Sequence, residues 1–361
     1  MTTNEGLTVE GCRARQERLR TILAQRNLQA ALFTDTRYVH YFCGHFTRPG
    51  HFSSALIVTD GPTILSAPSQ VNDAAAEEVR TFTASKLATQ VDGRRPLSFE
   101  PLRDQLAQYT ALGCDWAVPE EIYAGRTHSI ADELKTMRRA KDADEMTLIR
   151  RAIAGTEAAY ARAREIIEPG VSEVRIYAEM LAAATEAVGE PLGEMGNDFQ
   201  SGAGGGAPRM RPVEAGELMP LDVSVIVRGY SSDLCRTFSI DGTPTADQKE
   251  AHARLVAALQ YVENTARSGG SCISMYNEIN ERLNGDRRWK FPHHLGHGIG
   301  MSPHEAPRLN PNWDDTFTPG DVFTAEPGLY GPSLKTGIRL EENYLVTEDG
   351  LEKLSHFPLE L

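Results

Sequence analysis

Two β-rich runs, Leu221 to Val227 and Tyr230 to Phe238, meet at Arg228-Gly229, and each carries an aspartate among residues suited to a sheet. Runs joined by so short a turn read as a hairpin. With the turn centred between Arg228 and Gly229, Asp222 faces Cys235 and Asp233 faces Ser224. Side chains alternate faces with period 2, so Asp222 and Asp233 share a face as diagonal neighbours, roughly 7–8 Å apart at the backbone. Two bare carboxylates there repel; a shared cation reconciles them.

Further acidic groups follow in Asp321 to Tyr330 and in Gly337 to Asn343, both strand-like, with Pro327-Gly328 ending the first run. In the later strand Arg339 and Glu341 point one way and Glu342 the other, so only one of the adjacent glutamates faces a given site. Alternation does not choose between them. An imidazole comes from Pro292 to Gly300, where glycines on both sides of His297 let the backbone approach closely. Four carboxylates carry −4 and two divalent cations +4, so a filled site is neutral. Empty, the cluster holds raised carboxyl pKa values. Oxygen ligands with one imidazole favour manganese, with cobalt, iron or zinc also compatible.

At 361 residues two domains are expected, divided near Arg139-Ala140-Lys141-Asp142 into residues 1–140 and 141–361. The first has an α/β pattern: a helix around Arg15 to Arg26 and a strand near Ala30 to Thr34. A hairpin of Ala55 to Thr59 and Thr63 to Ser66 follows, with strand signals at Thr81 to Leu87 and Asp115 to Val118. Helical stretches fall near Leu97 to Gln108 and Ser129 to Arg138. The second repeats one order twice. A helix from Asp142 to Ile167, a helix from Ser172 to Gly189 and the aspartate hairpin are followed by a helix from Thr245, where Gln248 completes a capping box, a shorter helix from Ser274 to Gly285, and the glutamate strands. Each half would lend two carboxylates to a shared centre.

The segments Asp222 to Phe238, Gly296 to Gly300 with His304-Glu305-Ala306-Pro307, Thr324 to Tyr330 and Arg339 to Glu342 closely resemble those of the pita-bread metallopeptidases, the family of aminopeptidase P, prolidase, methionine aminopeptidase and creatinase. The resemblance covers the chain from about residue 140 onward and, more weakly, a creatinase-like N-terminal domain. It implies an α/β creatinase-like domain followed by an α+β pita-bread catalytic domain with internal pseudo-twofold duplication. It also selects Glu341 over Glu342. Asp233 and Glu341 would bridge two metals, Asp222 would bind one, and His297 and Glu326 the other. Two such ions can share a water and leave a hydroxide at neutral pH, so the implied activity is hydrolysis of an amide C–N bond by an Xaa-Pro aminopeptidase or dipeptidase.

His304 matches a family histidine that contacts substrate and tetrahedral intermediate, and His293 one that stabilises developing oxyanion charge. Arg339 and Arg236 are candidates to orient a carboxylate. One departure stands out: Pro208-Arg209-Met210-Arg211-Pro212 is the local match to a family Pro-His stretch, which puts Arg209 where a histidine helps hold substrate. An arginine is no proton shuttle near neutral pH. A creatinase-like hydrolase or lyase acting on a small molecule is therefore the alternative, and a non-catalytic binding protein a third reading.

Other residues read as ordinary: His294 as structural, Cys235 as a small apolar strand residue, His40, His45, His51 and His128 as N-terminal histidines, and the glycine-dense Gly202 to Pro208 as a loop at the mouth of the site. With 37 basic against 50 acidic residues the net charge is −13, which argues against nucleic acid or an anionic membrane as partner. No apolar run suffices to span a bilayer. Met1 to Gly6 lacks the features of a secretion signal, and five cysteines without paired spacing suit a reducing compartment, so a cytoplasmic enzyme is expected. The resemblance adds a homodimer acting on a small peptide or small molecule.

Overall fold

The computed structural model describes residues 6–48, 53–84, 90, 95–116, 118–285 and 288–361. The chain folds into two compact units. One ends at Arg138 and takes in Asp142–Asp144; the other comprises Arg139–Lys141 and Glu145–Leu361. The boundary that we propose from the sequence, between residues 140 and 141, lies inside this crossover.

The first unit contains α1 (Val9–Gln25), β1 (Ala30–Phe33), α2 (Thr36–Cys43), β2 (Ala55–Thr59), β3 (Thr63–Ala67), β4 (Glu78–Thr81), α3 (Arg103–Leu106), β5 (Ala111–Cys114), β6 (Arg126–Ser129) and α4 (Ala131–Arg139). Its strands form one mixed sheet in the order β4-β3-β2-β1-β5-β6. Every residue of β1, β2 and β3 is buried, as a central strand requires. Helix α1 starts six residues before the expected Arg15, because the Thr8 hydroxyl caps it by accepting from Gly11 N–H. The helix expected over 97–108 is largely a 3-10 segment, Arg95–Leu102, containing Pro101, which has no N–H to give to an α-helix. Helix α2 was not foreseen from its eight residues; Asp35 caps it at the start and Gly44, at φ 79°, at the end. The strand expected at 115–118 lies earlier, at β5. His51, and residues 85–87 of the strand expected at Thr81 to Leu87, lie outside the described residues.

The second unit holds α5 (Ala143–Ile166), α6 (Glu173–Val188), β7 (Met195–Asp198), β8 (Leu218–Val227), β9 (Tyr230–Ser231), β10 (Leu234–Ser239), α7 (Ala246–Thr265), α8 (Cys272–Asn284), β11 (Gly296–Gly298), β12 (Glu305–Leu309), β13 (Val322–Ala325), β14 (Gly328–Tyr330), β15 (Gly337–Arg339), β16 (Glu342–Val346) and β17 (Leu351–Lys353). Helix, helix, strands does occur twice. The first half forms a sheet in the order β10-β8-β7 with β9 paired to β8; the second forms the sheet β12-β11-β13-β16-β17. Helix ends follow the sequence signals. Ser172 and Gly189 cap α6, and Thr245 with Gln248 makes a complete capping box on α7. Leu255, Leu259 and Val262 of α7 and Met275 and Ile279 of α8 pack in one core with Phe323, Ala325 and Tyr344. That packing ties α7 and α8 to β13 and β16, at whose ends Glu326 and Glu341 lie.

Among the described residues no helix is long and apolar enough to cross a membrane. All five cysteines are buried and none is disulfide-bonded.

Candidate metal centre

The hairpin of β8 to β10 turns on Arg228 (φ 48°) and Gly229 (φ 88°), so both central residues occupy the positive-φ region that a twisted two-residue turn demands. Its register pairs Cys235 with Asp222 and Leu234 with Val223, as expected from the sequence. β7 continues the row by pairing Asp198 with Asp222. On the other side, Cys235 bridges to Glu341, whose N–H donates to the Cys235 carbonyl at 3.0 Å. The two halves therefore join where their carboxylates meet.

Oxygen atoms of Asp222, Asp233 and Glu341 lie within 4.8 Å of one another. His297 and His304 form a second such group with Asp233, and His297 a third with His294 and Glu326. Shared members make these one continuous cluster, around a cavity of about 260 Å³ lined also by Asn197, His293 and Arg339. Asp222, Asp233, His297, Glu326 and Glu341 are all buried.

Burial, added to by the Asp222 charge, pushes the Asp233 carboxyl well above the usual range, and burial with the Asp233 charge does the same to Glu341. Burial also raises Asp222, against the pull of the Arg339 guanidinium. Burial would raise Glu326 too, but a hydrogen bond from His294 and the adjacent imidazoles hold it below the usual range. Glu341 Oε2 is buried without a hydrogen-bond partner. Such an orphaned oxygen among crowded carboxylates is what a cation satisfies.

The histidine tautomers fit the same reading. His297 Nδ1 lies 3.1 Å from the Gly298 carbonyl, to which it must donate, leaving Nε2 with a free lone pair. That nitrogen is 3.5 Å from Glu326 Oε1 and 3.8 Å from Asp233 Oδ2. Burial holds the ring neutral by lowering its pKa to about 4. The His304 ring centroid is 4.1 Å from that of His297. His293 donates through Nδ1 to the His294 carbonyl at 2.8 Å, so its Nε2 accepts from the Tyr330 hydroxyl at 3.2 Å. Tyr330 in turn accepts from Arg339 Nη1 at 3.2 Å.

Arg339 Nη2 lies 2.5 Å from Asp198 and 2.6 Å from Asp222, orienting one carboxylate of the cluster. Arg236 instead faces Glu342 at 2.9 Å, on the opposite side of the strand from Glu341, as alternation requires. Ser224 donates to Asp233 Oδ1 at 2.6 Å, and the Asn343 side-chain oxygen accepts from the Asp233 N–H at 3.3 Å.

Arg209 is not brought into the cluster. Its guanidinium meets the buried Glu173 at 2.6 Å and the Ser201 carbonyl at 2.9 Å, and it does not line the cavity. His294, read as structural from the sequence, sits beside the cluster: its Nε2 lies 2.8 Å from Glu326 Oε1 and its ring lines the cavity. Residues 292–295 are not a strand, so face alternation does not separate the adjacent rings of His293 and His294. Asp198 was missed as well, since β7 is short and has no apolar alternation to mark its facing; only the register reveals it.

A model of metallopeptidase family M24 matches residues 147–348, and a model of the creatinase/prolidase N-terminal domain matches residues 15–152. An uncharacterized peptidase of Bacillus subtilis is 25% identical over 361 residues, covering 96% of this chain and 98% of its own length. Among solved structures, a Xaa-Pro dipeptidase from Bacillus anthracis superposes with TM-score 0.81 at 21% identity, covering 97% of this chain and 99% of that one. The prolidase from Pyrococcus horikoshii OT3 gives 0.79 at 20%, covering 96% and 99%. These likenesses establish the fold: a creatinase-like N-terminal α/β domain followed by a pita-bread α+β domain.

Proposed function

The chain belongs to metallopeptidase family M24, and from that premise we propose that this enzyme is a dinuclear metal-dependent hydrolase acting as an Xaa-Pro aminopeptidase or dipeptidase. The observation that carries the reading is the overlap of three ligand groups through Asp233 and His297, with an unpartnered Glu341 oxygen among them. Asp222, Asp233, Glu341, Glu326 and His297 Nε2 would hold the cations. Manganese suits this oxygen-rich set. Divalent ions held there supply Lewis acidity and lower the pKa of a water.

The protein's own groups supply the rest. Arg339 fixes Asp222 from behind, which keeps that carboxylate aimed into the cavity. His293 keeps an acceptor nitrogen on Tyr330 Oη, so the Arg339-Tyr330-His293 chain sets the charge and orientation of one wall. His304, packed on His297, would contact a substrate carbonyl. The substrate is a small peptide, and the working form a cytoplasmic homodimer.

The test is release of the residue before proline from Xaa-Pro dipeptides and Xaa-Pro-Yaa tripeptides by manganese- or cobalt-loaded protein, with loss of release in Asp233→Ala. Two ions bound without cleavage of any peptide would overturn the peptidase reading.

A further inference from the structure

The cluster cavity does not end at the metal ligands. His293, His294, His297 and His304 also line a second cavity of about 420 Å³, lined further by the apolar Tyr276, Pro292, Pro311 and Trp313 and by the polar Glu305, Arg308, Asn310 and Asn312. We propose that this cavity is a substrate subsite that selects peptides with a large apolar or aromatic residue beside the scissile bond, with Trp313 as its wall. The proposal deepens the peptidase reading and rests on it.

Continuity supplies the occupant. The shared histidines make the second cavity contiguous with the cluster, so a peptide whose scissile carbonyl lies there has room to send a neighbouring residue past His304. Its size is within the range of small-ligand sites. The chemistry of its walls then sets the class. Two prolines, a tyrosine and a tryptophan supply its apolar surface. Glu305, the acidic residue among the lining, is engaged by the buried Lys141 at 2.8 Å. Arg308 pairs with Asp315 at 3.4 Å. Among the described lining residues the one acid is thus already paired, while apolar surface is offered.

The wall is built before any ligand arrives. β12 pairs with β11 so that Arg308 stands opposite His297, and opposed residues share a face, which ties the loop to the ligand strand. Beyond it, the Arg308 N–H donates to Asp315 Oδ2 at 2.8 Å and the Asn312 N–H to Asn310 Oδ1 at 2.7 Å, closing the turn that carries Trp313. The Arg308 guanidinium lies 5.4 Å from the Trp313 ring centroid. Trp313 nonetheless remains 53% exposed, a large apolar surface held in place with one side uncovered.

The experiment measures kcat/KM of manganese-loaded protein and its Trp313→Ala variant on two peptide series, Xaa-Pro and Xaa-Pro-Ala, each varying the residue before the scissile bond through Gly, Ala, Leu and Phe. In one series the wild type should favour Phe over Gly by about 10–100-fold, the range expected for burying a phenyl group, and the variant should bring that ratio near one. Flat wild-type series, or a Phe-to-Gly ratio retained by the variant, overturns the subsite. L-phenylalanine is also titrated into both proteins with tryptophan fluorescence as readout and glycine as control. A shift with phenylalanine that Trp313→Ala abolishes supports the subsite even where no peptide is cleaved, an outcome that sinks the peptidase reading alone. Cleavage without preference or shift sinks the subsite alone.

Discussion

Replacing Asp233 with asparagine should change the sign of its effect on stability when metal is added. The ligand oxygens of Asp222, Asp233 and Glu341 lie within 4.8 Å of one another. At that separation, and an effective dielectric of about 20, each ionised pair repels by about 3.5 kcal/mol. Removing the Asp233 charge deletes two such pairs, a repulsion of about 7 kcal/mol or more that proton uptake largely relieves in the metal-free protein. A net gain of about 1–3 kcal/mol at pH 7 remains, corresponding to a rise in Tm of about 2–10 °C for a unit of this size. Asparagine keeps an oxygen for the Ser224 hydroxyl, so the local packing survives. The pH dependence has a definite sign. Asp233 and Glu341 have folded-state pKa values raised above the ordinary 3.8 and 4.5, so the stability they confer is fully present below about pH 4 and is lost as pH rises through the raised values. The gain from Asp233→Asn should therefore be larger at pH 7 than at pH 4. With manganese at about 1,000 times its Kd the order reverses, because binding then stabilises the wild type by about 4.1 kcal/mol and the variant loses most of that, which exceeds its metal-free gain. Thermal melts of both proteins in chelator and in manganese, at the two pH values, read this directly. A variant less stable than wild type in chelator as well as in metal would refute the repulsion argument.

Three other outcomes follow from single contacts. Arg339→Met, which frees Asp222 and Asp198, should weaken metal affinity by about 10–100-fold in a calorimetric titration. Arg236→Met leaves the fully buried Glu342 with Lys353 as its remaining cation, so urea unfolding should show a loss of about 3 kcal/mol, with Arg236→Met/Glu342→Gln recovering part of it. Burial opposes ionisation of Glu173, but hydrogen bonds from Arg209 and Ser201 outweigh it and hold its carboxyl below the ordinary range. Its stabilisation is then present above about pH 4.5 and lost as pH falls through the lowered value, so the Tm difference between wild type and Glu173→Gln should shrink on acidification.

Much of the site's framework was legible because its signals are short-range. The hairpin register follows from Arg228-Gly229 and period-2 alternation, and the caps at Ser172, Gly189 and Thr245-Gln248 follow from side chains that bond their own helix ends. The first unit was harder to read. Its 3-10 segment and the eight-residue α2 are too short for periodicity to speak, and their bounds depend on Pro101, Asp35 and Gly44.

Alternation separated Glu341 from Glu342 but left the choice to a family resemblance; in the fold, the bridge between Cys235 and Glu341 aims one inward while Arg236 takes the other. Asp198, His294 and the partner of Arg209 could not be had from spacing at all, since each is set by an element distant in the chain. By itself the sequence determined where strands turn, which faces their acids take and where helices stop, since backbone sterics and hydrogen bonding act over a few residues. Only the tertiary structure decided which acids share one volume and which cations they meet, because burial and charge act through space between segments that sequence distance does not relate.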